Sequence, residues 1–254
     1  MKRLMRLKIT FNANKAIVCD MNYHQQIQGF IYSVLDDADM RCFLHEHGFV
    51  YGKRKFKLFV FSRLMGKSIY DKGTRQITFF PPVQLFLSSP WTELLQSLVN
   101  GIMNQTNLML GANYLQIEEV SLEPTPSFKQ QKDYQVKMLS PVTIYSTLLT
   151  QKGAKKTYYY APGEQEFGQL IRQNLIKKAK AYYNEDWSQL PFNIKSVGSV
   201  CASQRKIIFF KNTVIKGWMG RFSLAGDPHM LRLAYDAGIG GKNAQGFGMF
   251  SLTT

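Results

Sequence analysis

Gly238-Ile239-Gly240-Gly241-Lys242-Asn243-Ala244-Gln245-Gly246-Phe247-Gly248 is the stretch on which the reading of this chain turns. Glycines permit backbone conformations closed to other residues and let main-chain amides approach an anion, while Lys242 adds a positive charge. The same composition also suits a tight connection with no ligand, so the loop takes its meaning from its flanks. Immediately upstream, Pro228–Ala237 reads as a short helix, and residues 247–252 downstream read as a terminal strand. Further upstream lie strands near 205–210 and 213–224, a helix carrying Phe167, Leu170, Ile171 and Leu175 at helical spacing, and a strand over 134–144.

Working outward to the first half, Met5, Leu7, Ile9 and Phe11 alternate with Arg6, Lys8 and Thr10, the period of a strand with one buried face. Ile27, Ile31, Val34 and Leu35 follow at helical spacing, with Asp36-Asp37-Ala38-Asp39 as the exit. Residues 56–62 and 76–80 are rich in strand formers, Pro81-Pro82 is expected to break the second run, and 83–87 forms another short strand. Ser89 offers a helix cap with Pro90 at the first helical position, ahead of Trp91, Leu94, Leu95, Leu98 and Ile102. A strand over 114–122 closes the unit, and Glu123-Pro124-Thr125-Pro126-Ser127 reads as a linker. Both halves approximate strand, helix, strand pair, helix, strand. The expected class is α+β, with two tandem ferredoxin-like domains, 1–125 and 126–254.

The chain has 254 residues, 45% apolar and 13% aromatic, enough to build ordinary cores. Its net charge of +15 concentrates polyanions near the surface, which makes nucleic acid the leading partner class. Cys19, Cys42 and Cys201 are odd in number and lack the paired spacing of a zinc site or disulfide framework, so a reducing, cytoplasmic setting is expected. Charges run through Met1-Lys2-Arg3-Leu4-Met5-Arg6-Leu7-Lys8 where a secretory signal would be apolar, and no run nears the roughly 20 apolar residues of a membrane span. A soluble protein without membrane contact follows.

Four motifs stand in order along the chain: Gln28-Gly29-Phe30-Ile31-Tyr32, Leu44-His45-Glu46, Lys57-Leu58-Phe59-Val60-Phe61-Ser62 and the glycine-rich loop. Together they resemble the RAMP superfamily of CRISPR-associated proteins, and within it the repeat-processing endoribonuclease, the sixth Cas family. The resemblance covers nearly the whole chain and implies tandem RRM-like folds and cleavage of CRISPR repeat sequences in precursor RNA to mature guides. It carries the catalytic tyrosine onto Tyr32, the histidine onto His45 and the lysine onto Lys57. The implied reaction is attack by the ribose 2′-hydroxyl, leaving a 2′,3′-cyclic phosphate and a 5′-hydroxyl with no metal or cofactor. The alternative implied by the same family is a noncatalytic repeat-RNA-binding subunit of a CRISPR effector complex. Other effector subunits are candidate partners, and the protein is a monomer or homodimer.

Read as residues alone, the three remain open. Tyr32 suits a helix edge with its hydroxyl in water, most histidines are structural or solvated, and Lys57 either snorkels from an apolar face or addresses a phosphate. His47 and Lys55 are alternates for their neighbours. For RNA contact the candidates are Gly238, Gly240, Gly241, Lys242, Gly246 and Gly248 of the loop, then Lys155 and Lys156 (with Lys152) before Tyr158-Tyr159-Tyr160. Arg205 and Lys206, followed by Lys211, Lys216 and Arg221, complete the set. Lys177, Lys178 and Lys180 line a helix as further candidates for RNA contact, with a merely solvated face an equal reading. A metal nuclease would need converging carboxylates, and Asp36, Asp37, Asp39, Glu118 and Glu119 form only local runs.

Overall fold

The computed structural model describes residues 5–149 and 153–253. In chain order the first half contains β1 (Met5–Asn12), β2 (Ile17–Asp20), α1 (His24–Ser33), α2 (Ala38–Cys42), β3 (Phe49–Tyr51), β4 (Arg54–Phe56), β5 (Val60–Phe61), β6 (Met65–Asp71), β7 (Gln76–Ser88), α3 (Thr92–Asn104), β8 (Leu108–Leu110) and β9 (Asn113–Pro124). The second contains β10 (Tyr134–Met138), β11 (Tyr145–Leu149), β12 (Lys155–Tyr159), α4 (Gln165–Tyr183), β13 (Phe192–Ser196), β14 (Arg205–Phe210), β15 (Thr213–Trp218), β16 (Arg221–Gly226), α5 (Pro228–Ala237) and β17 (Phe250–Leu252).

Each half builds its own antiparallel sheet in the same order. In the first, β7 lies between β1 and β6, and β9 flanks β1 on the far side. In the second, β16 lies between β13 and β10, and β17 flanks β10. Each has the second and third strands paired, the first beside the third and the last beside the first, which is the ferredoxin-like arrangement. Leu7, Ile9 and Phe11 of β1 face α1 and α3 through Ile27, Phe30, Ile31, Leu94, Leu98 and Ile102. Val136, Phe222 and Leu224 face α4 and α5 through Phe167, Ile171, Leu175, Met230 and Ala234 in the second core. The helix 228–237 forms as read: Pro228 opens it and the Asp227 carboxylate accepts from the His229 amide at 2.8 Å.

Several local expectations change. Strand β7 runs through Pro81-Pro82 unbroken, because the pair sits where β2 has stopped pairing at Phe79, β1 begins only at Val83, and the β6 register shifts. Missing N–H donors are harmless at such a gap. Helix α3 starts at Thr92, and the Ser89 hydroxyl accepts from the Trp91 amide while donating to the Leu58 carbonyl at 2.7 Å. The 213–224 segment divides into two strands of different sheets around Gly220, the 134–144 strand stops at Met138, and the short strand β13 carried no turn signal that set it apart. The polar face of β1 is not solvated either, since Arg6 and Thr10 are both buried.

The run 56–62 is where the halves join. Leu58 takes a left-handed φ of 52°, which interrupts the strand between Phe56 and Val60. Alternation then fails: Leu58 packs in the second core, Phe59 and Phe61 in the first, and Val60 meets Leu139 and Met249 between them. No helix among the described residues is long and apolar enough to cross a membrane.

Candidate active site

Helix α1 carries three polar residues four apart on one face, His24, Gln28 and Tyr32. The first two dock the glycine-rich loop: Gln28 donates to the Ala244 carbonyl at 2.5 Å, and the His24 ring lies 3.1 Å from the Gln245 carbonyl through Nδ1. Burial pushes His24 down to about 4, so the ring is neutral and Nδ1–H donates. Above pH about 6.5 the ring is neutral in folded and unfolded chains alike. As pH falls toward 4, only the unfolded chain takes up the proton, so stability is lost through that window, up to about 3 kcal/mol. His24→Asn is expected to flatten the difference between melting temperatures at pH 7.5 and 4.5; an unchanged difference would remove His24 as its source.

Tyr32, at the end of that face, is half-buried, with its ring edge-on to Phe59 at 6.1 Å and to His45 at 6.3 Å. Burial pushes its hydroxyl up to about 12, further from ionisation than a free tyrosine, which is itself a neutral donor near pH 7. His45 rides on a single π-helical turn, Phe43–His47, anchored by buried Leu44 and by Phe43 against Phe49 and Trp91. Gly48 ends the turn at φ 67°, where a Cβ would lie 2.6 Å from the Phe56 carbonyl oxygen. His45 Nδ1 is 2.6 Å from the Glu46 carboxylate, which the His45 contact holds below the usual range. An ionised carboxylate only accepts, so Nδ1 carries the hydrogen and Nε2 is left for other partners.

Lys57 Nζ donates to the His45 carbonyl at 2.9 Å and Lys55 Nζ to the Glu46 carbonyl at 2.8 Å, so two lysines, one on β4 and one just past its end, grip the turn. Burial, helped by the charge of Lys55, holds Lys57 below its ordinary value. Tyr32, His45 and Lys57 line one cleft of about 490 Å³ with Gln25, Gln28 and Lys242. Its far wall is the tip of the β14–β15 hairpin, Phe210, Lys211 and Thr213. A second lobe of about 460 Å³ adjoins it at Tyr32, Lys57 and Lys242 and is edged by Lys53, Arg54 and Lys55. Of the two alternates, Lys55 therefore reaches the second lobe, whereas exposed His47 lines neither.

The glycine-rich loop differs from expectation in how its amides are used. Gly241 donates to Thr143, Gly246 to Asn243 and Gly248 to Pro141, so these N–H groups already have carbonyl acceptors. Gly238, Gly240, Gly246 and Gly248 all have positive φ, and a Cβ at Gly240 or Gly248 would come within 2.3 or 2.0 Å of a backbone oxygen. These glycines let the loop pack tightly between the halves, and the loop meets the cleft through Lys242 and Gln245 and the second lobe through residues 241–245. Lys242 Nζ lies 5.1 Å over the Tyr145 ring, and burial lowers its pKa.

Lys178 is the largest correction among the basic residues. It is 2% exposed rather than solvated, and donates to the Gly238 carbonyl at 2.7 Å and the Gly240 carbonyl at 3.3 Å; burial pushes it down to about 7. Its spacing from Phe167, Ile171 and Leu175 puts it on the apolar stripe of α4, a signal available in the sequence. Arg205 and Lys206 sit at the base of the β14–β15 hairpin, away from the cleft, with Lys206 donating to the Ser203 carbonyl; Lys211 at the tip reaches it. Lys155 and Lys156 are exposed on β12, at the end of the hairpin away from its base at Tyr145 and Tyr159. Lys152 lies outside the described residues. Among the described residues, no three His, Cys, Asp or Glu side chains group as metal ligands.

Comparison with known proteins gives two family matches that together span most of the chain. Residues 18–121 match the CRISPR-associated protein Cas6, N-terminal family, and residues 122–252 the CRISPR associated protein Cas6, C-terminal family. CRISPR-associated endoribonuclease Cas6 1 of Methanocaldococcus jannaschii is 26% identical over 250 residues, 98% of this chain and 93% of that protein. CRISPR-associated endoribonuclease Cas6 of Pyrococcus furiosus is 25% identical over 256 residues, 99% and 90% of the two. Among solved structures, a CRISPR associated protein Cas6 superposes with TM-score 0.77 at 25% identity, covering 98% of this chain and 99% of that one. A Cas6-related protein from Pyrococcus furiosus superposes at 0.81 with 18% identity over 98% of each chain.

Proposed function

The chain belongs to the CRISPR-associated Cas6 family of repeat-RNA processing endoribonucleases, and from that premise we propose that it binds CRISPR repeat RNA and cuts it by metal-independent transesterification in the cleft between its two units, 1–125 and 126–254. The observation that carries this reading is the convergence of Tyr32, His45 and Lys57 on one cleft faced by Lys242 and Lys211. RNA supplies its own nucleophile, so what the protein must add is proton transfer and neutralisation of charge on the phosphorane.

His45, with Nδ1 tied to Glu46, offers Nε2 for transfer of the 2′-hydroxyl or leaving-group proton. Lys57 spends one of its three donors on the His45 carbonyl and keeps the others for the phosphate. Tyr32, held neutral, donates a hydrogen bond that orients the reacting groups. The products are a 2′,3′-cyclic phosphate and a 5′-hydroxyl. The loop and Lys242 hold the RNA at the cleft, and Lys155, Lys156, Arg205 and Lys206 provide outer phosphate contacts along the hairpins.

Cleavage of a cognate repeat in excess chelator is the direct test, with a matched substrate carrying one 2′-deoxy sugar at the cut. Full activity in chelator and none on the deoxy substrate is expected; activity that requires an added divalent ion, or that survives the deoxy sugar, would overturn the mechanism. Binding should also weaken as salt is raised, with log affinity falling linearly in log salt as phosphate counterions are released. A flat response would contradict an electrostatic groove.

A further inference from the structure

Beyond the cleft a third hollow of about 600 Å³ opens where the amino end of α1, the β6–β7 turn and the β14–β15 hairpin meet. It shares Gln25 and Lys211 with the cleft, so the two form one continuous path. Its wall contains an unusual aromatic. Phe210 turns into a small core under the hairpin, but its neighbour Phe209 is 47% exposed and lines the hollow. The strand that bears Phe209 is tied to the first unit, since its amide donates to the Asn22 side chain at 2.9 Å. The opposite rim is held too, by the Met21 amide on the Arg75 carbonyl at 3.0 Å. Arg75 and Lys211 bring two cations to the same hollow against one carboxylate, Asp20, and Asn22, Gln25 and Gln26 bring amides.

An exposed aromatic side chain on a strand pinned by that bond, bracketed by cations and amides, has the composition of a site for an unpaired nucleotide: the base stacks, the phosphate is neutralised and the amides address the base edge. A base inside a duplex has both faces covered by its stacked neighbours and offers none to such a platform. We propose that this hollow is a subsite for one unpaired nucleotide flanking the cut, its base stacked on Phe209 and its phosphate between Lys211 and Arg75. This rests on the ribonuclease reading above and adds to it a single-stranded segment next to the scissile phosphate.

The test is a binding and single-turnover cleavage series with repeat RNAs that each carry one abasic nucleotide near the cut, assayed on wild type, Phe209→Ala and Phe209→Trp. One abasic position is expected to weaken wild-type binding about 10- to 100-fold, and Phe209→Ala to weaken intact RNA by a similar factor with no further loss at that position. Phe209→Trp, which keeps a stacking face, should restore affinity. The subsite is overturned if Phe209→Ala binds intact RNA like wild type, if no abasic position matters to wild type, or if the two losses add in full. The abasic series on wild type stands even where a variant folds poorly. Wild-type cleavage with no Phe209 effect would sink this inference alone, whereas wild type that neither binds nor cuts the repeat would sink the ribonuclease reading with it.

Discussion

His45→Ala is expected to lower the single-turnover cleavage rate on a cognate repeat by about 100-fold or more while leaving affinity for that RNA unchanged, because general acid–base catalysis by one side chain contributes about that factor. The variant is informative because of what it leaves in place. Lys57 bonds the main-chain carbonyl of residue 45, which alanine retains, and the turn is anchored by Leu44, Phe43 and Gly48 rather than by the imidazole. The cations that would hold phosphate, Lys57, Lys242 and Lys211, are untouched. Loss of rate with retained affinity therefore reports chemistry, about 2.7 kcal/mol of transition-state stabilisation. Wild-type rates in the variant would remove His45 from the mechanism, and equal loss of binding and rate would reassign it to substrate contact.

Arg6→Ala is expected to cost about 3–5 kcal/mol of folding stability, read as a drop in the denaturation midpoint, with Arg6→Lys recovering only part of it. The Arg6 guanidinium is buried between the two units. It donates to Ser88 Oγ at 2.9 Å, to the Phe250 carbonyl at 2.9 Å and more weakly to the Tyr235 carbonyl at 3.4 Å, and it lies 3.8 Å over the Tyr235 ring. Alanine would leave these buried acceptors unmatched around a void, the costly way to lose a hydrogen-bonded group. A lysine keeps the charge but lacks the planar fork that reaches separate acceptors. A midpoint within error of wild type for Arg6→Ala would show that the guanidinium is not a structural tie.

Arg6 also marks where sequence patterning stopped being informative. Alternation in β1 correctly separated Leu7, Ile9 and Phe11 from Arg6 and Thr10, yet it took the second face for solvent because nothing local shows that another sheet will cover it. Both helix pairs were legible from their own periods, but the second strand of each sheet, β6 and β13, was not, and the runs 56–62 and 205–210 stood in their places. The break at Leu58 was not, because a left-handed leucine is imposed by two cores pulling adjacent residues apart. At the site, Tyr32, His45 and Lys57 were placed by motif, and the structure brings them together. Gln28 and His24 share the Tyr32 helix face at intervals of four, and Lys178 is in phase with an apolar stripe, so a stricter use of periodicity finds all three. Lys211 reaches the cleft, rather than Arg205 and Lys206, through the register of a hairpin that only the fold reveals.

The cleft is assembled from residues 25–57 on one side and 210–245 on the other, and ribosomes release a chain amino end first. When the tyrosine, the histidine and the lysine have emerged, the wall bearing Lys242 has yet to be made. A growing polypeptide is tethered beside its own messenger, where local RNA concentration is very high. Split across the chain in this way, the cleft is complete only once synthesis has passed the glycine-rich loop.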